Sequence, residues 1–383
     1  MKFIYYLIMT ICFIHCLLKY TRISIVLRVN NQLIYKTQNN YFEFLIIIGL
    51  FLLITSNRNG VDIINYFNAY NYKVGFKPTF ELFYNYARFF AHYIGVSFFL
   101  FRAIFLLITG IFAVFAIKKL NIDIYFFTIF YLPILLFMDS MQVRNSSAIC
   151  FLLFGIYCLA TYNGKKGKMF FLLAIFTAFM IHTSFIFYFI VILYNGYNNK
   201  RLKSVVIKII VISSIVLSII TFINGHRIPY IEKIYSLLLK NTDSRNSRYL
   251  TSGSYGFLYP LFVYLISLNL FNKLENNINN KNNNKYRFIE ISHLMAELSV
   301  IFIPFIMMNM NYYRFFRNTL YFLIISTSLC INETFFIVRK KMILIILQLV
   351  FIVFLWWLFD VYIYNTPEII IAPIFKDGVI FYK

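Results

Sequence analysis

An all-α, polytopic integral membrane fold follows from three observations. The chain of 383 residues is 61% hydrophobic and 21% aromatic, and only 13% of it is charged, whereas a soluble domain is about half apolar and about a quarter charged. Several apolar runs approach or exceed the ~20 residues with which a helix crosses a hydrocarbon core. These runs are continuous instead of alternating, which argues against an outer-membrane barrel. The formal charge of +22 needs no nucleic-acid partner, because basic residues gather in the cytoplasmic loops of membrane proteins.

The first run, 3–18, is preceded by Lys2 alone and followed by Lys19, Arg22, Arg28 and Lys36. The positive-inside rule therefore puts the N-terminus outside. No small-residue cleavage site follows, so the run reads as a retained helix. Run 42–56 returns outward. The segment 57–92 reads as a long external loop, within which 80–93 has the spacing of an amphipathic surface helix. Run 94–117 goes inward to Lys118 and Lys119 and carries Arg102, a costly residue there unless it snorkels or faces a polar cavity. Run 124–138 comes out, 139–145 reads as a short external turn, and run 146–162 goes in to the basic clip Lys165, Lys166 and Lys168.

The next run, 169–194, has basic loops on both sides, the clip before it and Lys200, Arg201 and Lys203 after it. One tilted helix would put one of those loops outside. Two half-helices of ~13 residues, breaking at His182-Thr183-Ser184, would keep both inside. Each is too short to span ~30 Å, so such a pair must be buried in protein or line a cavity. The broken, re-entrant hairpin is the expectation.

Run 204–223 comes out to a second external loop, 224–252. Run 253–271 goes in to the Asn-rich tract 272–287, which reads as a disordered cytoplasmic loop. Runs 288–308, 318–338 and 342–359 complete about 10–12 transmembrane helices in a single polytopic domain, 1–383, with both termini outside. The five cysteines all lie in apolar runs and form no metal spacing with histidines, so they read as small apolar fillers.

Arginines cluster on the face where that rule predicts few: Arg58, Arg88, Arg144, Arg245, Arg248, Arg314 and Arg317. A guanidinium is a fixed fork of donors that suits phosphate and pyrophosphate. The competing explanation is snorkelling to lipid headgroups. Acid–base candidates on the same face are Asp62, Glu81, Asp139 and His182, the last standing at the break of an apolar run. Asp62, four residues after Arg58, also reads as its ion-pair partner. No P-loop, HExxH, nucleophile elbow or dense carboxylate cluster is present, so no metal and no cofactor is expected.

Several stretches together resemble the EpsG-like, Wzy-type polysaccharide polymerases. Arg58-x-x-x-Asp62 is followed by Tyr66 and then Phe80-Glu81-Leu82 ahead of a long helix. VRNSSAICFLLFGIY (143–157) leads through the basic clip to MIHTSFIFY (180–188), and NYYRFFRNTLYFL (311–323) comes late. Asn145-Ser146-Ser147 departs from the Gln or Gly expected after the arginine. The resemblance covers roughly residues 40–330. It implies a GT-C-like membrane glycosyltransferase in the bacterial plasma membrane. The enzyme would join oligosaccharide repeat units carried on undecaprenyl pyrophosphate, without metal or nucleotide sugar. Membrane lipids surround it, and a flippase and a chain-length regulator are its implied partners. By that likeness Arg144 and Arg314 hold the departing pyrophosphate, with Arg58, Arg317, Arg245 and Arg248 as further contacts. His182 or Glu81, with Asp62, serves as base or positioner. Two other readings stay open: a different polyprenyl-linked glycosyltransferase or ligase, and a lipid-linked glycan flippase whose path would use Arg102, Glu290, His293 and Glu297.

Overall fold

The computed structural model describes residues 1–26, 40–71, 81–162, 164–195, 200–228, 257–277, 283–334, 339–359, 368 and 371–376. Among these, every regular element is helical and no strand occurs. Five described helices are long and apolar enough to cross a membrane: Lys2–Lys19, Phe98–Lys119, Val143–Thr161, Val205–Ile223 and Asn284–Met308. The chain is an all-α, multi-pass membrane protein. It divides into two compact units: 1–187 with 331–333 and 356–383, and 188–330 with 334–355.

The first unit contains α1 (Lys2–Val26), α2 (Asn40–Ser56), α3 (Val61–Asn71), α4 (Leu82–Tyr93), α5 (Phe98–Lys119), α6 (Ile124–Ile134), α7 (Leu136–Met141), α8 (Val143–Thr161) and α9 (Gly164–Ile181). Its centre is the antiparallel pair α8–α9, with α5 against the other side of α8. Gly155 and Gly167 allow the close approach within the pair. A Cβ on Gly155 would stand 3.1 Å from the Ala174 Cβ, and one on Gly167 would stand 2.2 Å from the Tyr162 carbonyl oxygen. Small residues where backbones approach are the usual solution in a medium that offers no hydrophobic drive between helices. Gly164, with φ +65°, makes the left-handed turn that starts α9. The turn lies at the basic clip, so Arg144 at the start of α8 and His182 at the end of α9 fall at the opposite, shared end.

Arg102, whose role the sequence leaves open, is 1% exposed, and among the described residues its hydrogen-bond partners are main-chain carbonyls. Its Nη2 donates to the carbonyls of Ile54 (2.6 Å) and Ser140 (2.5 Å). Its Nη1 donates to those of Asn57 (2.5 Å) and Thr55 (3.4 Å). The last carbonyls of a helix have no partner of their own, and one guanidinium here satisfies those of α2 while tying them to α7. Asn57 completes the joint: its Nδ2 donates to Ser140 Oγ at 3.0 Å, and its Oδ1 accepts from the Gly60 amide at 2.9 Å, just before α3.

Several sequence expectations are revised. Residues 61–71, expected in an external loop, form the helix α3. The expected turn 139–145 is helical except at Gln142, the single break between α7 and α8. Asp139 is buried there because Tyr131 donates to one of its oxygens (2.7 Å) and Ser146 to the other (3.1 Å). Run 124–138 is divided by Pro133, which removes a helical donor and separates α6 from α7. The break at His182 is present, but α9 begins at Gly164, so its 18 residues reach about 27 Å where a half-helix was expected.

The second unit contains α10 (Ile190–Asn195), α11 (Lys200–Ile223), α12 (Leu258–Asn277), α13 (Asn284–Leu298), α14 (Ile303–Met308), α15 (Arg314–Thr334) and most of α16 (Arg339–Trp356). The Asn-rich tract is not a loop at its ends: α12 runs to Asn277 and α13 starts at Asn284, capped by the Asn283 side chain. Glu275 and His293 bridge these helices at 2.7 Å, and Tyr286 donates to the same carboxylate. Such an interhelical pair gives two membrane helices a polar joint that their apolar faces lack.

Replacing Arg102 with Leu leaves four carbonyls without their donor. Because an orphaned buried polar group costs about 1–3 kcal/mol, the expected loss is at least ~3 kcal/mol. It is measured as a lowered thermal midpoint of the detergent-solubilised protein. An unchanged midpoint would show that the Arg102 joint does not hold α2 to α7.

Candidate functional site

Glu81, His182 and Arg144 meet at the end of the α8–α9 pair away from the basic clip. Glu81 immediately precedes α4, and α4 packs on α9, which carries the carboxylate to the point where α9 stops. The last α-helical bond there runs from the His182 amide to the Ala178 carbonyl, and the 3-10 segment Thr183–Phe189 follows. Glu81 Oε2 pairs with Arg144 Nη1. Its other oxygen, Oε1, lies 3.3 Å from His182 Nδ1. One carboxylate thus stands between a guanidinium and an imidazole. The side chains of Glu81 and His182 are 12% and 11% exposed, and that of Arg144 is 30% exposed.

Two tyrosines position the arginine. Arg144 Nε donates to the Tyr66 hydroxyl at 3.1 Å, and the guanidinium carbon lies 5.1 Å from the Tyr66 ring centre and 5.9 Å from that of Tyr84. A cation over aromatic faces is stabilised most where water is scarce. Burial pushes the Tyr84 phenol above its ordinary range, so this ring stays neutral beside the arginine. Among the described residues Nη2 of Arg144 has no hydrogen-bond partner, and it belongs to the most exposed member of the cluster.

This arrangement has defined chemical consequences. Glu81 Oε1 lies within ion-pair distance of Nδ1 but outside hydrogen-bonding geometry. A small rotation of the ring would let Nδ1–H donate to the carboxylate, which would fix the tautomer with Nε2 as the basic nitrogen. Arg144 holds that carboxylate from its other side and offers Nη2 as a donor for an anion. Among the described residues, no group of three or more His, Cys, Asp or Glu side chains is arranged to hold a metal ion.

The other expected site residues lie as follows. Asp62 occupies the first turn of α3, where the positive end of the helix suits a carboxylate, one turn before Tyr66. Arg58 lies with its guanidinium carbon 3.8 Å above the Phe99 ring, beside the Arg102 joint. Arg88 donates to the Ala69 carbonyl at 3.4 Å and ties α4 to α3. Asp139 has Tyr131 Oη at one oxygen and Ser146 Oγ at the other. Arg314 and Arg317 belong to the second unit, on adjacent turns of one face of α15, with Arg317 3% exposed. Arg245 and Arg248 lie outside the described residues. Tyr84 is the contributor that sequence reasoning missed; its signal is the spacing of three from Glu81, which puts both at the start of one helix.

Breaking a partly buried ion pair costs most by stranding its partner. Arg144→Met alone is therefore expected to lower the thermal midpoint more than Arg144→Met combined with Glu81→Gln. The coupling should be roughly 0.5–3 kcal/mol, read from a four-variant unfolding cycle. Strict additivity would mean that the two side chains do not interact in the folded protein.

No curated protein and no solved structure matches the chain. The model of the EpsG family matches residues 41–367, a range that holds Glu81, Arg144 and His182 as well as both units' central helices. The chain belongs to the EpsG family, multi-pass membrane proteins with a polysaccharide-polymerase type of function.

Proposed function

We propose that the protein polymerises a surface polysaccharide at the external face of the bacterial plasma membrane. It moves a glycan chain from undecaprenyl pyrophosphate to the non-reducing end of another lipid-linked repeat unit. The observation that carries this reading is the Arg144–Glu81–His182 cluster, one carboxylate shared by a potential base and a cation. Family membership supports the reaction class.

In this mechanism His182 Nε2 accepts the proton of the acceptor hydroxyl as its oxygen attacks the anomeric carbon of the donor chain. The bond from that carbon to the pyrophosphate oxygen breaks, and the pyrophosphate leaves with the bonding electrons. Glu81, 3.3 Å from Nδ1, accepts from Nδ1–H as the ring turns towards it and stabilises the imidazolium that forms. Arg144, through Nη2, meets charge that grows on the departing pyrophosphate. Such preorganised stabilisation is usually the largest catalytic contribution, and an arginine fork supplies it without a metal. Arg314 and Arg317 are assigned to phosphate or glycan binding on their chemistry: two forks on one helical face. Arg58 and Asp62 support the cluster from the α2–α3 side, and no cofactor takes part.

Deletion of the gene in its host, followed by electrophoresis of surface glycan, tests the reading. Single repeat units should persist and long chains should vanish. Loss of single units as well would point to a flippase. Persistence of long chains on their lipid, with none reaching a different acceptor, would point to a ligase. At normal protein level, Arg144→Ala and His182→Ala should each cut long-chain product by at least about a hundredfold, the scale of a lost general base or charge stabiliser. Wild-type chain lengths in both variants would sink the site assignment.

A further inference from the structure

The opposite end of the same helices carries a second feature. A groove of about 300 Å³ runs between α5 and α8. Ile111, Phe112 and Phe115 form one wall, Phe154 and Cys158 the other, and Phe170 of α9 adds to the lining. The helices run parallel here, with Phe112 against Phe151 at 4.6 Å between ring centres and Phe115 against Phe154 at 6.0 Å. Ile111 and Phe115 are 59% and 43% exposed, so the groove opens sideways towards the bilayer. Its volume is at the small end of ligand pockets, about 300–1,000 Å³, and its walls carry no charged side chain, so it suits a hydrocarbon chain and not a sugar.

Both walls end in a lysine laid on an aromatic ring. Ile111, Phe115 and Lys119 follow at i, i+4 and i+8 on α5, and Lys119 Nζ lies 5.7 Å from the Phe115 ring centre. Phe154, Cys158 and Tyr162 follow with the same spacing along α8, and Lys166 Nζ lies 5.1 Å from the Tyr162 ring centre. Among the described residues neither lysine pairs with a carboxylate, in contrast to neighbouring Lys118, which is held by Glu43. Lys165 lies exposed beside Lys166. The Lys119 and Lys165–Lys168 ends are those the positive-inside rule assigns to the cytoplasm. An apolar slot one helical turn short of unpaired cations matches an amphiphile with a hydrocarbon tail and an anionic head.

We propose that this groove binds an anionic glycerophospholipid of the inner leaflet, with an acyl chain between α5 and α8 and the phosphate on Lys119 and Lys166. The inference is independent of the reaction assigned to the other end of the helices. A lipid wedged there would brace α5 against the α8–α9 pair that carries Arg144 and His182.

Native mass spectrometry of the full chain, delipidated in detergent and titrated with phosphatidylglycerol or chain-matched phosphatidylcholine, tests it. Phosphatidylglycerol should be retained preferentially. Lys119→Gln with Lys166→Gln should weaken that retention by roughly fivefold per lysine, the value of one cation at an anionic surface. Ile111→Trp, which fills the slot while keeping both charges, should also reduce it, and Lys208→Gln on α11 should not. Equal retention of the two lipids, or wild-type retention in the double-lysine variant, would overturn the proposal. So would undecaprenyl phosphate displacing phosphatidylglycerol at equimolar concentration, which would make the groove a carrier site. Undiminished binding in Ile111→Trp would place the lipid elsewhere on the surface.

Discussion

The end of the first unit that carries Arg144 depends on what a buried guanidinium does with four carbonyl oxygens. Arg102 sits in an apolar helix, where an isolated charge is expensive, and it is 1% exposed. Its environment is nevertheless polar, because the end of α2 presents carbonyls with no donors of their own. Each side solves the other's problem: the helix end gains donors, and the charge gains oxygens at 2.5–3.4 Å. This fixes α2, α5 and α7 to one another without a counter-ion. Asn57 then carries the constraint onward, since its side chain binds both Ser140 and the Gly60 amide at the entry to α3. Through α3 it reaches Tyr66, and through Tyr66 the Nε of Arg144. The arginine of the candidate site is aimed by a chain of hydrogen bonds that begins at a different, structural arginine.

The same logic decides between roles for the acidic residues. Glu81 and Asp139 both belong to the low-dielectric end of the bundle, and residue type alone makes both acid–base candidates, although the family resemblance points to Glu81 only. Asp139 spends both oxygens on neutral hydroxyls, those of Tyr131 and Ser146, and is enclosed. Glu81 faces two groups that carry or take up positive charge, one of which retains an unused donor. A carboxylate satisfied by hydroxyls is already at rest. A carboxylate shared by a guanidinium and an imidazole changes its interactions whenever either partner binds an anion or takes a proton, and that coupling suits the acid–base role proposed for it.

Much of this was legible in the sequence. Two apolar runs joined by a basic turn dictate a hairpin, and a hairpin puts Arg144 and His182 at one end. A histidine followed by Thr183 and Ser184 inside an apolar run marks a helix break, because those side chains compete for backbone groups. The length of α9 was misjudged, since Lys165–Lys168 reads as a loop by charge but lies within the first turns of a helix, where long side chains reach outward. The function of Arg102 was not legible, because its partners are main-chain carbonyls, to which composition is blind. Nor was the helical course of residues 139–145: only tertiary contacts across the Gln142 break reveal that Asp139 is enclosed. The helices at either end of the Asn-rich tract were hidden by composition that mimics disorder, and are held by the Glu275–His293 bridge.

Placing the candidate chemistry at one end of α8–α9 and the apolar groove with its lysines at the other has a mechanical consequence. The two helices make the most extensive helix–helix contact in this unit and approach closely at Gly155, Gly167 and Ala174, whose small or absent side chains leave little slack between the backbones. Such an interface slides or bends only by losing packing along its whole length, since dense interiors resist gradual deformation. A displacement imposed where Lys119 and Lys166 stand is therefore passed along a stiff pair to Arg144 and His182 instead of being absorbed between them. The site's geometry is set at both ends at once, by the Arg102 joint near it and by whatever fills the groove beside the far end of the hairpin.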